Sequence, residues 1–296
     1  MALRVAFLGP AGTYTEEALL ASAPADVQPE PRSTVYETVM AVQDAETDRA
    51  VVPIENSLEG GVAATLDALA GEADGVRIAA EVVHPIHHHL IAGRQLELGA
   101  VERVLSHPQA TAQCARFLRD SLPGAERVAA TSTAEAVRRV ADSPKPWAAL
   151  GSRLSAQLYG ATVLAERVED HPDNLTRFVW LAPAGSEDGR PEGAAKTSVV
   201  FWGFNDSSPG ALMTVLREFS DRDINLTKIE SRPRRERLGH YMFFCDLEGH
   251  VLDAAVAGAL GALAERVEAL RVLGSYPAAP AVPIGSGRAP FPQRPG

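Results

Sequence analysis

The segment GSEDGRPEGAA at 185–195 constrains this chain more than any other, because it separates two stretches with different strand and helix order. It is rich in Gly, Pro and charge and offers little to bury, which marks a linker. Upstream, RVAFLG, AVVPIE, HHHLIAG, VERVLS, RVAAT, WAALGS and RFVWLA read as short apolar strands, with helical runs at 16–23, 111–118 and 133–142 between them. This alternation predicts an α/β fold with largely parallel sheets and ligands beyond the strand ends. Downstream, the strand KTSVVFWGF leads into a helix, PGALMTVLREFSD, with Pro209 near its first turn and Leu212, Val215, Leu216 and Phe219 on one face. Strands at 224–231 and 240–247, a helix at 253–270 and a strand at 271–276 complete a βαββαβ, ferredoxin-like order. The expected organisation is a bilobal α/β domain at 1–183, a linker at 184–195 and an α+β domain at 196–276. A Pro/Gly-rich tail at 277–296 is expected to be disordered.

Length and composition agree with two domains: 296 residues, 46% hydrophobic and 22% charged, are ample for a buried core. The formal net charge of -10 argues against nucleic acid as a partner. No apolar run is long enough to span a bilayer, and MALRVAFLGPAG lacks the pattern of a secretory leader. Cys114 and Cys245 are the only cysteines and lie far apart in sequence, so no disulfide framework or cysteine-rich metal site is expected. A cytoplasmic location follows as the expectation, and the N-x-S/T matches at Asn174, Asn205 and Asn225 carry no weight without a secretory signal.

Several strand–helix junctions carry polar residues. In GPAGTYTEEALL, Thr15 can cap a helix with Glu16 and Glu17 in its first turn, while the amides of Gly12 and Thr13 can receive an anion. Both a plain capped helix and an anion site fit. TSTAEAV offers a capping box, Ser132-x-x-Glu135, with Ser132 and Thr133 at a second such junction, and GSRLSAQLYG a third. Glu55, Asn56 and Ser57 follow an apolar strand and read equally as a turn or as ligand contacts. In HPIHHHL, His87 and His89 share one face of a strand and His88 takes the other. One histidine facing a cleft is expected, and no metal, because no HExxH or comparable ligand motif accompanies them. NLTRF reads on its own pattern first as a strand entry with a solvated Arg, and alternatively as a hydroxyl, Thr176, beside Arg177, which is able to grip a carboxylate. No Walker lysine and no GxSxG elbow at useful spacing occur, so nucleotide and serine-hydrolase chemistry are poorly supported.

In order, FLGPAGTYTEEA, VVPIENSLEGGV, SHPQATAQC, TSTAEA, AALGS, QLYG and NLTRFVWL resemble the prephenate dehydratase family across nearly the whole first part. PGALMTVL, INLTKIESRP, YMFFCDLEGH and LGSYP resemble an ACT regulatory domain of that family. The resemblance implies a periplasmic-binding-protein-like pair of lobes, prephenate in the cleft and conversion to phenylpyruvate without a cofactor. It implies catalytic roles for Thr176, Arg177, Ser132, Thr133, Glu55 and Asn56, and substrate contacts from Gly12, Thr13, Ser57, His88 and Phe178. His89 stands where Cys is commoner in the family, so a thiol there is excluded. Phenylalanine as allosteric effector is implied at Gly210, Ala211, Leu212 and Met213 with Glu230, Ser231, Arg232 and Pro233, in a homodimer or homotetramer. Arogenate dehydratase and a non-catalytic amino-acid sensor are the alternatives; retention of Thr176, Ser132, Thr133 and PIENS argues against the sensor.

Overall fold

The strand-forming runs of the first part divide between two lobes. The computed structural model describes residues 2–24, 26–186, 190–204 and 209–280. The first lobe contains β1 (Leu3–Leu8), α1 (Tyr14–Ser22), β2 (Val27–Arg32), α2 (Val35–Gln43), β3 (Arg49–Asn56), β4 (Gly60–Gly61), α3 (Ala63–Ala70) and β5 (Val76–Pro85). The second contains β6 (His89–Ala92), β7 (Arg103–Ser106), α4 (Pro108–Gln113), α5 (Ala115–Ser121), β8 (Glu126–Ala129), α6 (Thr133–Ala141), β9 (Trp147–Gly151), α7 (Arg153–Leu158) and β10 (Thr162–Ala165). The chain then re-enters the first sheet as β11 (Leu175–Pro183), giving the order β2-β1-β3-β11-β5, with β4 on β3. The second sheet runs β10-β6-β9-β7-β8.

Neither sheet is largely parallel, contrary to the sequence expectation. β1 is parallel to β2 and β3, but the returning β11 is antiparallel to both β3 and β5, and β6 is antiparallel to β9 and β10. A strand that comes back from the other lobe enters without a crossover helix, so its direction is not tied to the βαβ rule.

Local boundaries move for identifiable reasons. Thr13, not Thr15, caps α1: its backbone is extended and its hydroxyl accepts the Glu16 amide, whereas Thr15 lies inside the helix and is buried. The expected helix at 111–118 breaks at Cys114, whose φ of -115° and ψ of 21° leave the helical well. Pro209 precedes the cap of its helix, since Gly210 occupies the cap position in a left-handed conformation at φ 82°.

The C-terminal domain follows as β12 (Ala195–Trp202), α8 (Ala211–Ser220), β13 (Leu226–Pro233), β14 (Tyr241–Glu248), α9 (Ala254–Ala264) and β15 (Ala269–Pro277), an antiparallel sheet of order β13-β14-β12-β15. α9 stops short of the expected 270 because Ala269 and Leu270 pair with Trp202 and Phe201 as the start of β15. One sheet face packs Val199, Phe201 and Phe243 under α8 and α9, through Val215, Phe219, Leu260 and Leu263. Alternate positions on the other face, Val200, Phe244, Leu273 and Tyr276, join Val39, Leu66, Leu69 and Ile78 of the first lobe in one core. Gly274 makes this approach possible: a Cβ there would lie 2.2 Å from the Ile78 carbonyl oxygen. Of the tail expected at 277–296, Pro277 ends β15 and residues 281–296 lie outside the described residues.

Candidate active site

A cavity of about 390 Å³ opens between the lobes and is lined from both. The first lobe contributes Thr13, Tyr14, Asn56, Thr176 and Phe178; the second contributes His107, Gln113, Ser132 and Thr133; and His88 and Asn174 come from the two connecting segments. Strand register sets the pairing at its floor. Thr176 on β11 sits opposite Asn56 on β3, and Asn56 Nδ2 donates to Thr176 Oγ1 at 2.8 Å.

The orientation of that amide is fixed. Asn56 Oδ1 accepts the amides of Leu58 and Glu59, each at 3.0 Å, so its nitrogen must face Thr176 and Asn174. Thr176 Oγ1 therefore accepts from Asn56, and among the described residues no acceptor takes its proton. A hydroxyl polarised from behind with its hydrogen free toward the cavity is a donor waiting for an oxygen.

The same amides extend into a chain. Asn174 accepts from Asn56 and donates to Gln113 Oε1 at 3.2 Å, and His88 Nε2 meets that oxygen at 2.9 Å. Gln113 Oε1 can only accept, so Nε2 of His88 carries a hydrogen. Burial holds the His88 pKa below its ordinary value, only partly offset by Gln113. The neutral ring then accepts at Nδ1 from Tyr14 Oη at 2.7 Å, and Tyr14 is itself held protonated, well above its ordinary pKa, by burial.

Among the described residues, the cavity lining contains no Arg, Lys, Asp or Glu. Its donors are hydroxyls, amides and histidine rings, with the first turns of α1 and α6 contributed by the two lobes. The three junctions do not all converge. Thr13, Ser132 and Thr133 line the cavity, but Ser152 at the third junction donates to the Gly12 carbonyl at 2.9 Å, tying the lobes together.

Several expected site residues point elsewhere. The Gly12 amide donates to Glu16, and Gly12 packs against Ser155 at φ 88°, so it does not line the cavity. Ser57 is spent on β11, accepting the Leu175 amide at 3.0 Å. Arg177 and Glu55 lie on the opposite face of their strands from Thr176 and Asn56, because successive side chains alternate. The guanidinium meets Glu55 and Glu81 at 3.0 Å each and Asp246 of the C-terminal domain at 2.6 Å. Arg177 therefore does not grip an anion in the cleft. His88 faces the cleft, whereas His87 and His89 line a separate cavity behind it, His87 bonded to Glu169 at 2.8 Å.

In the C-terminal domain the ESRP residues split by the same alternation. Glu230 lies against Gly61, and Arg232 makes a two-point ion pair with Asp67 at 2.8 and 2.9 Å, so both serve the contact with the first lobe. Ser231 and Pro233 are exposed on the other face. At the start of α8, Ala211 is half-buried, Leu212 packs into the core and Met213 is exposed.

Tyr14, His107, Gln113 and Asn174 were not singled out from sequence as site residues. All four stand inside motifs already noted, Tyr14 in GPAGTYTEEA, His107 and Gln113 in SHPQATAQC and Asn174 in NLTRF, so the signal was the motif rather than the residue.

Comparison with known proteins identifies the family. The prephenate dehydratase family model matches residues 5–186 and the ACT domain model matches 205–265. The bifunctional chorismate mutase/prephenate dehydratase of Stutzerimonas stutzeri is 41% identical over 279 residues, covering 94% of this chain and 74% of that protein. The structure of prephenate dehydratase from Arthrobacter aurescens in complex with L-Phe superposes with a TM-score of 0.86 at 41% identity, covering 95% of this chain and 92% of that one. A structure described as GqqA, a novel type of quorum-quenching acylase, superposes at 0.83 with 30% identity, covering 94% and 98%. The chain belongs to the prephenate dehydratase family and carries an ACT domain.

Proposed function

We propose that the interlobe cavity converts prephenate to phenylpyruvate, with Thr176 as the donor to the leaving hydroxyl. The observation that carries this is the Asn56–Thr176 bond, which leaves the Thr176 hydrogen directed away from its own protein partners. In the reaction the bond to the ring carboxylate breaks and carbon dioxide leaves. Its electron pair becomes ring π density, the bond to the ring hydroxyl breaks, and the departing hydroxide takes up a proton from solvent and leaves as water. Aromatisation absorbs the electrons, so the chemistry asks for no organic electron sink. What the site must supply is orientation and a dipole aimed at the departing oxygen. Threonine is a weak acid, so its role is a hydrogen bond that strengthens as charge develops.

The two substrate carboxylates meet a cavity lined without cationic side chains among the described residues. Helix first turns leave amides unpaired, and those of Tyr14 and Thr15 on α1 and of Thr133 and Ala134 on α6 are the candidates to receive them. Ser132, Thr133 and Thr13 border these turns. Glu55 and Arg177 act from behind the strand, and Gly12 and Ser57 act structurally.

The same reading gives a catalytic domain at 1–183, a linker at 184–195 and a regulatory domain at 196–276, in a cytoplasmic homodimer or homotetramer inhibited by phenylalanine. The relative solved with L-Phe supports the effector. Gly210, Ala211, Leu212, Met213, Ser231 and Pro233 are its proposed contacts, without Glu230 and Arg232. No helix among the described residues is long and apolar enough to cross a membrane. Purified protein supplied with prephenate should form phenylpyruvate, read by its absorbance in base, and phenylalanine should suppress the rate. Turnover of arogenate in preference to prephenate would move the assignment to the neighbouring activity, and no turnover of either would overturn it.

A further inference from the structure

Behind β11, on the side away from the cleft, charged side chains of both domains meet in a buried cluster. Arg177 is bonded to Glu55, Glu81 and Asp246; Lys196 pairs with Glu81 at 2.7 Å; and Ser198 donates to Asp246 at 2.5 Å while contacting the Tyr276 hydroxyl at 2.7 Å. Asp246 sits on β14 and Ser198 on β12, so the ACT sheet supplies one of the carboxylates that hold Arg177. Arg177 is the residue next to Thr176 on β11, and the β11–β3 register shifts between Arg177 and Phe178. The extra residue is Ile54 on β3, so the β3 ladder is locally disrupted beside Thr176 while β11 keeps its register with β5 there, and Arg177 adds an anchor on the disrupted side.

We propose that Asp246 is a positioning residue for Thr176: through Arg177 it fixes β11 beside the bulge in β3 and so makes the donor in the cleft depend on where the ACT sheet sits. This rests on the reading of Thr176 given above. Motion of the ACT sheet that draws Asp246 away releases Arg177 toward Glu55 and Glu81 and shifts the strand. A displacement of about 1 Å at a reacting group costs on the order of 10²-fold in rate, so a small domain movement suffices. Asp246 is not among the residues that line the cavity, which makes its effect on turnover informative.

The test is Asp246→Asn, measured with prephenate in wild-type and Thr176→Ala backgrounds. The expected result is a fall in kcat of about tenfold with KM within about twofold, because the geometry of the chemical step is altered rather than binding. That fall should largely disappear in the Thr176→Ala background, since a residue acting through Thr176 has nothing left to position. Asp246→Glu should restore part of the rate. If Asp246→Asn does not fold, Ser198→Ala, which removes the hydrogen bond orienting Asp246, takes its place with the same expected pattern at smaller size. An unchanged kcat, or a fall that persists in full without the Thr176 hydroxyl, would overturn the proposal. Wild-type protein inert toward prephenate would instead overturn the assigned reaction, so the two failures are distinct.

Discussion

On the cleft face of β11, Thr176 and Phe178 border a cavity lined by neutral donors; on the other face, Arg177 sits among Glu55, Glu81 and Asp246. The two faces divide the work between them. Buried ions cost much desolvation and return it only through good geometry, so a cluster like the rear one fixes arrangement more than it adds net stability. Burial works against the Arg177 charge, but Asp246, with Tyr276, Glu81 and Glu55, outweighs it and holds the pKa above the ordinary arginine value. The front face carries fixed dipoles and, among the described residues, no Arg, Lys, Asp or Glu, which suits a transition state whose developing charge must be met without reorganisation.

The sharpest way to break this division is Arg177→Met. It leaves Glu81 and Asp246 buried without their shared cation, and the expected loss is about 3–5 kcal/mol of stability, read as a lower urea midpoint. A stable, fully active Arg177→Met protein would mean that the rear cluster is ornamental. Next in size is Thr176→Ala, which should lower kcat by about 10²–10³-fold. Its urea midpoint should stay near wild type, because only one side-chain hydrogen bond, from Asn56, is lost. Near-normal turnover would remove Thr176 from the chemistry.

The division was half legible in the sequence. Thr13, Asn56, His88, Ser132, Thr133, Thr176 and Phe178 were named as site residues and do line one cavity. Glu55 and Arg177 were placed there too, although each adjoins a neighbour that lines the cavity within an extended run. Strand alternation puts such neighbours on opposite faces, and applying it to PIEN and LTRF would have separated them. The same step would have split Glu230 and Arg232 from Ser231 and Pro233. Other features had no local signal: the antiparallel return of β11 is set by the second lobe, and the shared core behind it by a contact between 78 and 274.

That shared core offers a smaller test. Gly274→Ala would thrust a methyl group onto the Ile78 backbone, which cannot yield as a flexible side chain would. Forced overpacking of this kind costs about 1–3 kcal/mol, and the expected result is a lowered midpoint together with weaker suppression of the rate by phenylalanine. Intact stability would show that the ACT sheet is not seated on β5.

The smallest expected effect lies on the cleft side and concerns pH. The folded-state pKa of His88 is depressed, chiefly by burial, so the unfolded chain binds the extra proton more readily. The stabilising contribution of the neutral ring is thus fully present above the unfolded value of about 6.5 and is lost as pH falls through the folded pKa. His89 is shifted in the same direction by burial and Arg153, so the wild-type slope contains both. Comparing wild type with His88→Gln isolates the first: the stability advantage of wild type should shrink as pH drops below about 6.5. The loss should be modest, because Tyr14 has a second acceptor, the His87 carbonyl at 3.0 Å. When His88 gains a proton at Nδ1, Tyr14 can turn its own hydrogen to that carbonyl and accept from the ring. A steep acid collapse confined to His88-containing protein would show that Tyr14 cannot turn, and that the neutral face of β11 is held as rigidly as the charged one.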